Sequence, residues 1–160
     1  MDNEKSLQII DQMAKNEILV SVLYKIYAEK FPEQKEFWSN ISNDETVHAQ
    51  WLNAYIGDVV KNKIYINKDR FSLGPAVDFS NFIQKHIDEA KNATIDLIKA
   101  LAISYDLENS MLEHRYFEIY ESDSVELKHV FENLRLATSK HAKSVRDMLD
   151  QITQKNNPSL

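Results

Sequence analysis

Apolar residues recur at alternating steps of three and four along four long stretches of this chain. That is the spacing of a helix burying one face in a bundle. The first stripe reads Ile10, Met13, Glu17, Val20, Tyr24, Tyr27, Phe31, and the second Trp38, Ile41, Glu45, His48, Leu52, Tyr55. The third reads Ile98, Leu101, Tyr105, Glu108, Leu112, and the fourth Leu127, Phe131, Leu134, Thr138, His141, Val145, Met148, Ile152. The pattern predicts helices over about residues 3–31, 32–56, 93–121 and 124–154. Pro32 suits the first turn of the second helix and the interior of none. Gly57 is the expected stop of that helix. Residues 58–75 lack helical period and include Gly74-Pro75, so they read as a long connection, with a shorter helix following over about 77–90, either separate from the third or fused to it. Ser122, Asp123 and Ser124 offer capping side chains for the last helix.

These elements make an all-α, antiparallel four-helix bundle, two helical hairpins joined by a long crossover, as one domain over residues 1–160. The crossover spans about 57–92 and a frayed tail about 155–160. Composition agrees. Two glycines and three prolines in 160 residues are too few for a sheet protein with many tight turns. The absence of cysteine excludes disulfides, thiolate metal sites and a cysteine nucleophile. A net charge of −6 without a basic patch argues against nucleic acid. The polar N-terminus and the lack of a long apolar run point to a cytoplasmic protein that does not span a membrane.

Each stripe is interrupted near its middle by residues that a core does not accept freely. The interruptions are Glu17, then Glu45 with His48, then Glu108, then Thr138 with His141. A buried carboxylate is costly unless paired or bound to a metal. Folding the first hairpin at Phe31 brings Glu17 and Glu45 to the same height, and folding the second at Asp123 does the same for Glu108 and Thr138. Glu45-Thr-Val-His48 presents an oxygen and a nitrogen donor on one helix face, one turn apart. Carboxylates with one or two imidazoles suit iron, manganese or zinc. The competing reading is a buried set of Glu–His and Glu–Tyr hydrogen bonds without metal. Tyr24 and Tyr105, with Thr138, stand where they could shape the surroundings of an ion. His86, His114 and His129 fall off the stripes, and Glu113 reads as solvated. The cluster over residues 61–70 reads as a solvated loop.

The segments around Glu17, Asp44-Glu45-Thr46-Val47-His48, Tyr105-Asp106-Leu107-Glu108 and Ser139-Lys140-His141 make the chain resemble the rubrerythrin branch of the ferritin-like superfamily, over all four helices. The resemblance implies a ferritin-like bundle holding one or two iron ions. It also implies ligand roles for Glu17, Glu45, His48, Glu108 and His141, and a redox reaction with peroxide or O₂. The chain departs from the pattern at Thr138, where a glutamate is expected, and at Met111, where rubrerythrins carry a further glutamate. It has no cysteines for a rubredoxin module. A single ion, an asymmetric pair and a metal-free relic all fit these departures, as does a non-catalytic metal-binding or structural bundle. Ferritin-like bundles commonly pair, and Phe37, Trp38 and Trp51 offer an aromatic outer face for a homodimer.

Overall fold

The computed structural model describes residues 2–62, 73–113 and 124–156, all in helices, short turns and caps. Helix α1 spans Asp2–Lys30 and α2 Lys35–Asn62. Between them Pro32–Gln34 forms a single 3₁₀ turn, closed by Gln34 N–H donating to the Phe31 carbonyl at 3.0 Å. Pro32 opens that turn, where its missing N–H costs nothing. Helices α3 (Leu73–Asn92), α4 (Leu97–Glu113) and α5 (Val125–Asn156) follow. The pairs α1–α2 and α4–α5 form two hairpins, which meet through α2 and α5, while α3 lies along α1. None of the described helices is long and apolar enough to cross a membrane.

Three boundaries differ from the sequence pattern. Helix α2 runs through Gly57 to Asn62. A helical glycine costs only about 1 kcal/mol relative to alanine, and nothing here draws Gly57 into a left-handed cap. Gly74 and Pro75 lie in the first turn of α3 rather than in a loop, because a proline in a first turn gives up no helical hydrogen bond. The third bundle helix is not fused to α3. It begins at Leu97, where the Asp96 carboxylate accepts the Lys99 N–H at 2.7 Å, capping a free donor. Ser124 caps α5 in the same way, accepting the Leu127 N–H at 3.2 Å. The expected third-helix end near residue 121, the residue 61–70 cluster and His114 lie partly or wholly outside the described residues.

The core is two apolar halves. One gathers Val20, Tyr24, Tyr27, Trp38, Leu101 and Val145 with Ile83 and Ile87 of α3. The other gathers Ile10, Met13, Leu52, Met111, Phe131 and Leu134. Between them, at the heights where the stripes are interrupted, lies a polar layer. On α4 the inward row is Leu101, Ser104, Leu107, Glu108 and Met111, and Ile98 is exposed. Steps of three and four through Leu101 and Glu108 can be drawn through Tyr105 and Leu112 or through Ser104 and Met111. The helix takes the second rotation, which leaves Tyr105 half-buried with the Arg146 guanidinium 5.6 Å over its ring.

Helices α1 and α2 approach closely at Ser21 and Ser42. Each hydroxyl donates to the other residue's carbonyl, at 2.8 and 2.9 Å. The hydroxyls of Ser42 and Thr46 also lie within 3.1 and 3.0 Å of that of Ser21. The expected aromatic outer face is corrected here. Trp38 is fully buried, wedged between Tyr24 and Tyr27, and Phe37 is half-buried against it, because both fall on the inward side once α2 is set against α1 by these contacts. Of the three, Trp51 alone is exposed.

Candidate metal centre

The polar layer is built by four helices, each supplying residues for a local reason. On α1, Glu17 follows the inward stripe and is 2% exposed. On α2, the helical period puts Glu45 and His48 one turn apart on the inner face, both buried. On α4 and α5, Glu108 and His141 reach the same level, with Thr138 buried one turn before His141. All five predicted ligands and Thr138 therefore meet in one layer.

Glu45 is the hub. Its Oε2 lies 2.9 Å from His48 Nδ1 and its Oε1 lies 2.7 Å from His141 Nδ1. The two imidazoles stack with centroids 5.4 Å apart. One donor atom from each of Glu45, His48 and His141 falls within 4.8 Å of the others, close enough for a single cation to touch all three. Glu17 flanks the His48 side, with Oε2 at 3.8 Å from Nδ1, and Glu108 flanks the His141 side, with Oε1 at 3.9 Å. The set therefore reads as two half-sites sharing Glu45.

The charges are strained in a way that a cation would relieve. Burial pushes Glu17 well above the usual carboxyl range, and the nearby Glu45 charge adds to it. Burial and then Glu45 push Glu108 up to about 8. Burial would also raise Glu45, but hydrogen bonds from His141 and His48 overcome it and hold Glu45 well below the usual range. Burial opposes a charged His48, yet the Glu17 and Glu45 carboxylates raise it to about 10. Against the same opposition, Glu45 raises His141 to about 9. The metal-free layer thus holds protons at positions where an ion would need lone pairs. Among the described residues, Glu17 Oε2 and Glu108 Oε2 are buried with no hydrogen-bond partner, a costly state for any carboxyl oxygen. Oxygen donors left over beside two clamped imidazoles are the donor set of a hard to intermediate cation, so the residues present fit the iron that the resemblance implies.

The surroundings hold the donors in place. The Tyr24 hydroxyl donates to Glu108 Oε1 at 2.7 Å, and burial followed by the Glu108 charge pushes this phenol well above its usual range. Among the expected neighbours of the centre, Tyr24 reaches it, Thr138 lines the layer, and Tyr105 is turned to Arg146. Two residues stand at the centre in roles the sequence reading did not give them, Asp44 having entered only within the resembling segment and Trp51 only on the outer face. Asp44 lies beside His141, with Oδ2 at 3.1 Å from Nε2, the arrangement that fixes a metal-binding imidazole from its far side. Trp51 lies with its ring centroid 5.3 Å from that of His48. The signal for both was their place on α2, one turn before and one turn after His48. Of the off-stripe residues, His129 and Glu113 are exposed. His86 is peripheral on α3, with Nδ1 3.2 Å from Glu89 Oε2.

No curated protein and no solved structure matches the chain. The family model described as Rubrerythrin matches residues 8–149, which takes in all of α2, α3 and α4, most of α1 and α5, and every residue of the polar layer. With four helices in the bundle order and one carboxylate–imidazole layer between them, the chain belongs to the rubrerythrin family.

Proposed function

We propose that the protein binds iron in the polar layer and uses it in a redox reaction with hydrogen peroxide or O₂. The observation that carries this reading is the pair of buried, unpartnered carboxylate oxygens on Glu17 and Glu108, placed on either side of two imidazoles that share Glu45. Glu45 would serve both half-sites, with Glu17 and His48 completing one and Glu108 and His141 the other. Bound there, iron supplies the electrons that a peroxide or O₂ needs for reduction.

The remaining work falls to the chain. Asp44 holds His141 by Nε2, so that Nδ1 keeps its direction toward Glu45. Tyr24 holds Glu108 Oε1 and keeps a proton within 2.7 Å of it. The two apolar halves above and below keep bulk water from the layer. Thr138 offers a hydroxyl on the α5 side where rubrerythrins offer a carboxylate. That leaves the centre poorer in protein ligands there and open to a small oxidant. A homodimer in the cytoplasm belongs to the same proposal, supported by the family's habit of forming homo-oligomers.

Elemental analysis after anaerobic loading with Fe(II), followed by peroxide consumption, tests the reading. Bound iron in stoichiometric amount and peroxide loss above that of the metal-free protein are expected. Neither iron nor turnover would sink it. A second reading, a zinc or single-iron protein without turnover, is favoured by Thr138 itself. Thr138→Glu separates the two. A wild-type protein that already turns over rules out the second reading, and activity only in the variant establishes it.

A further inference from the structure

Both tryptophans approach the polar layer, by different routes. Trp51 packs against His48, with centroids 5.3 Å apart and planes inclined by 41°, and it is 37% exposed. Trp38 is 0% exposed and reaches the layer through Tyr24, whose ring centroid is 5.6 Å away and whose hydroxyl rests on Glu108. Indole is among the side chains most easily oxidised by one electron. The radical cation so formed is far more acidic at Nε1 than the neutral indole and gives up that proton near neutral pH wherever an acceptor is at hand. Trp38 Nε1 is buried without an acceptor among the described residues, so its radical would stay charged inside apolar surroundings, at high cost. Trp51 stands at the surface, where water takes the proton. The same indole therefore has opposite prospects at the two positions.

We propose that Trp51 is the outlet by which an oxidising equivalent leaves the centre for the protein surface, its electron passing across the His48 contact. The inference rests on the iron-and-peroxide reading above. Reduction of hydrogen peroxide to two waters takes two electrons and two protons. One of the electrons would come from a single ferrous ion held in the layer, which would be left ferric. Trp51 gives the other and releases its Nε1 proton to solvent, becoming a neutral indolyl radical. Solvent supplies the two protons taken up by the waters. A small hydrogen-atom donor of the ascorbate class then restores the N–H of Trp51.

The test uses the full chain, loaded anaerobically with one equivalent of Fe(II), mixed with one equivalent of peroxide and a nitroso spin trap, and mapped by peptide mass spectrometry. A parallel sample holds Zn(II) in the protein and the same Fe(II) free in solution. The adduct is expected on Trp51, several-fold above Trp38, every tyrosine and the zinc sample. Trp51→Phe loses that adduct, with its iron content measured alongside. Should the variant not fold, the map of the natural chain decides alone. Peroxide consumption is followed in each sample. If peroxide is consumed while the adduct sits on Tyr24 or Trp38, is missing, or is equal in the zinc sample, the outlet is overturned and the iron reading stands. If no iron binds or no peroxide is consumed, both fall together.

Discussion

Glu45→Gln changes one charge at nearly constant volume, and the polar layer makes its consequences large. The carboxylate stands 2.9 Å from one buried imidazole and 2.7 Å from another. A glutamine keeps one acceptor oxygen for one of them and turns an N–H toward the other. Breaking a buried, hydrogen-bonded charge pair from one side costs about 3–5 kcal/mol, most of it the penalty of the charge left behind. In a chain of 160 residues each kcal/mol moves the midpoint by about 2–4 °C, so the metal-free variant should melt roughly 6–20 °C below wild type. Metal adds a second signature. An ion present at a hundred times its Kd stabilises the native state by about 2.7 kcal/mol, or roughly 5–11 °C on the same scale. Wild type should show that rise, and the variant, having lost the carboxylate charge and one of the two oxygens shared by both half-sites, should not. Differential scanning calorimetry with chelator and with Fe(II) or Zn(II) under argon reads both quantities. A variant that melts within about 2 °C of wild type and keeps the full metal-induced rise would refute the hub role of Glu45.

Three further outcomes follow from the same layer. Raised values for Glu108, His141 and His48 mean that the metal-free fold holds protons the unfolded chain releases, so its stability should fall as pH climbs from about 4.5, first through Glu108, and on toward 10 through the two histidines. Metal binding expels those protons, so the metal-induced rise in Tm should grow over the same range, and a metal-free Tm that climbs between pH 6.5 and 9 would contradict the assignment. Asp44→Asn weakens the hold on His141 Nε2 and should lower metal affinity by about 10- to 100-fold with little change in helicity, measured by competition with a chromophoric chelator and by circular dichroism. Tyr24→Phe leaves Glu108 Oε1 buried without its donor and should cost about 1–3 kcal/mol in urea unfolding at unchanged m-value.

Helix positions and the level of the polar layer were legible in the sequence because both depend on one-dimensional spacing. A three-and-four rhythm survives any environment, and counting residues from a hairpin turn gives height to within a turn. Rotation and reach were not legible. Whether α4 turns Tyr105 or Ser104 inward is a choice of about 100° that flanking apolar residues leave open. Trp38 stood both on the core stripe and on the expected aromatic outer face, and the packing of α2 against α1 settles it as buried while Trp51 stays exposed. Gly57 carried a stop signal, yet α2 runs through it at small cost. Asp44 and His141 are 97 residues apart in sequence, and no local pattern pairs a half-exposed acid with an imidazole on another helix.

The reciprocal hydroxyl–carbonyl exchange between Ser21 and Ser42 sits one turn from Glu17 on α1 and three residues from Glu45 on α2. A slide of α1 along α2 by a single helical turn, about 5.4 Å, would break both of its bonds. The two glutamates are therefore held level by a clasp that no ion takes part in. On the proposed reading, adding an ion should leave the backbone of α1 and α2 unchanged, because the clasp already fixes their register.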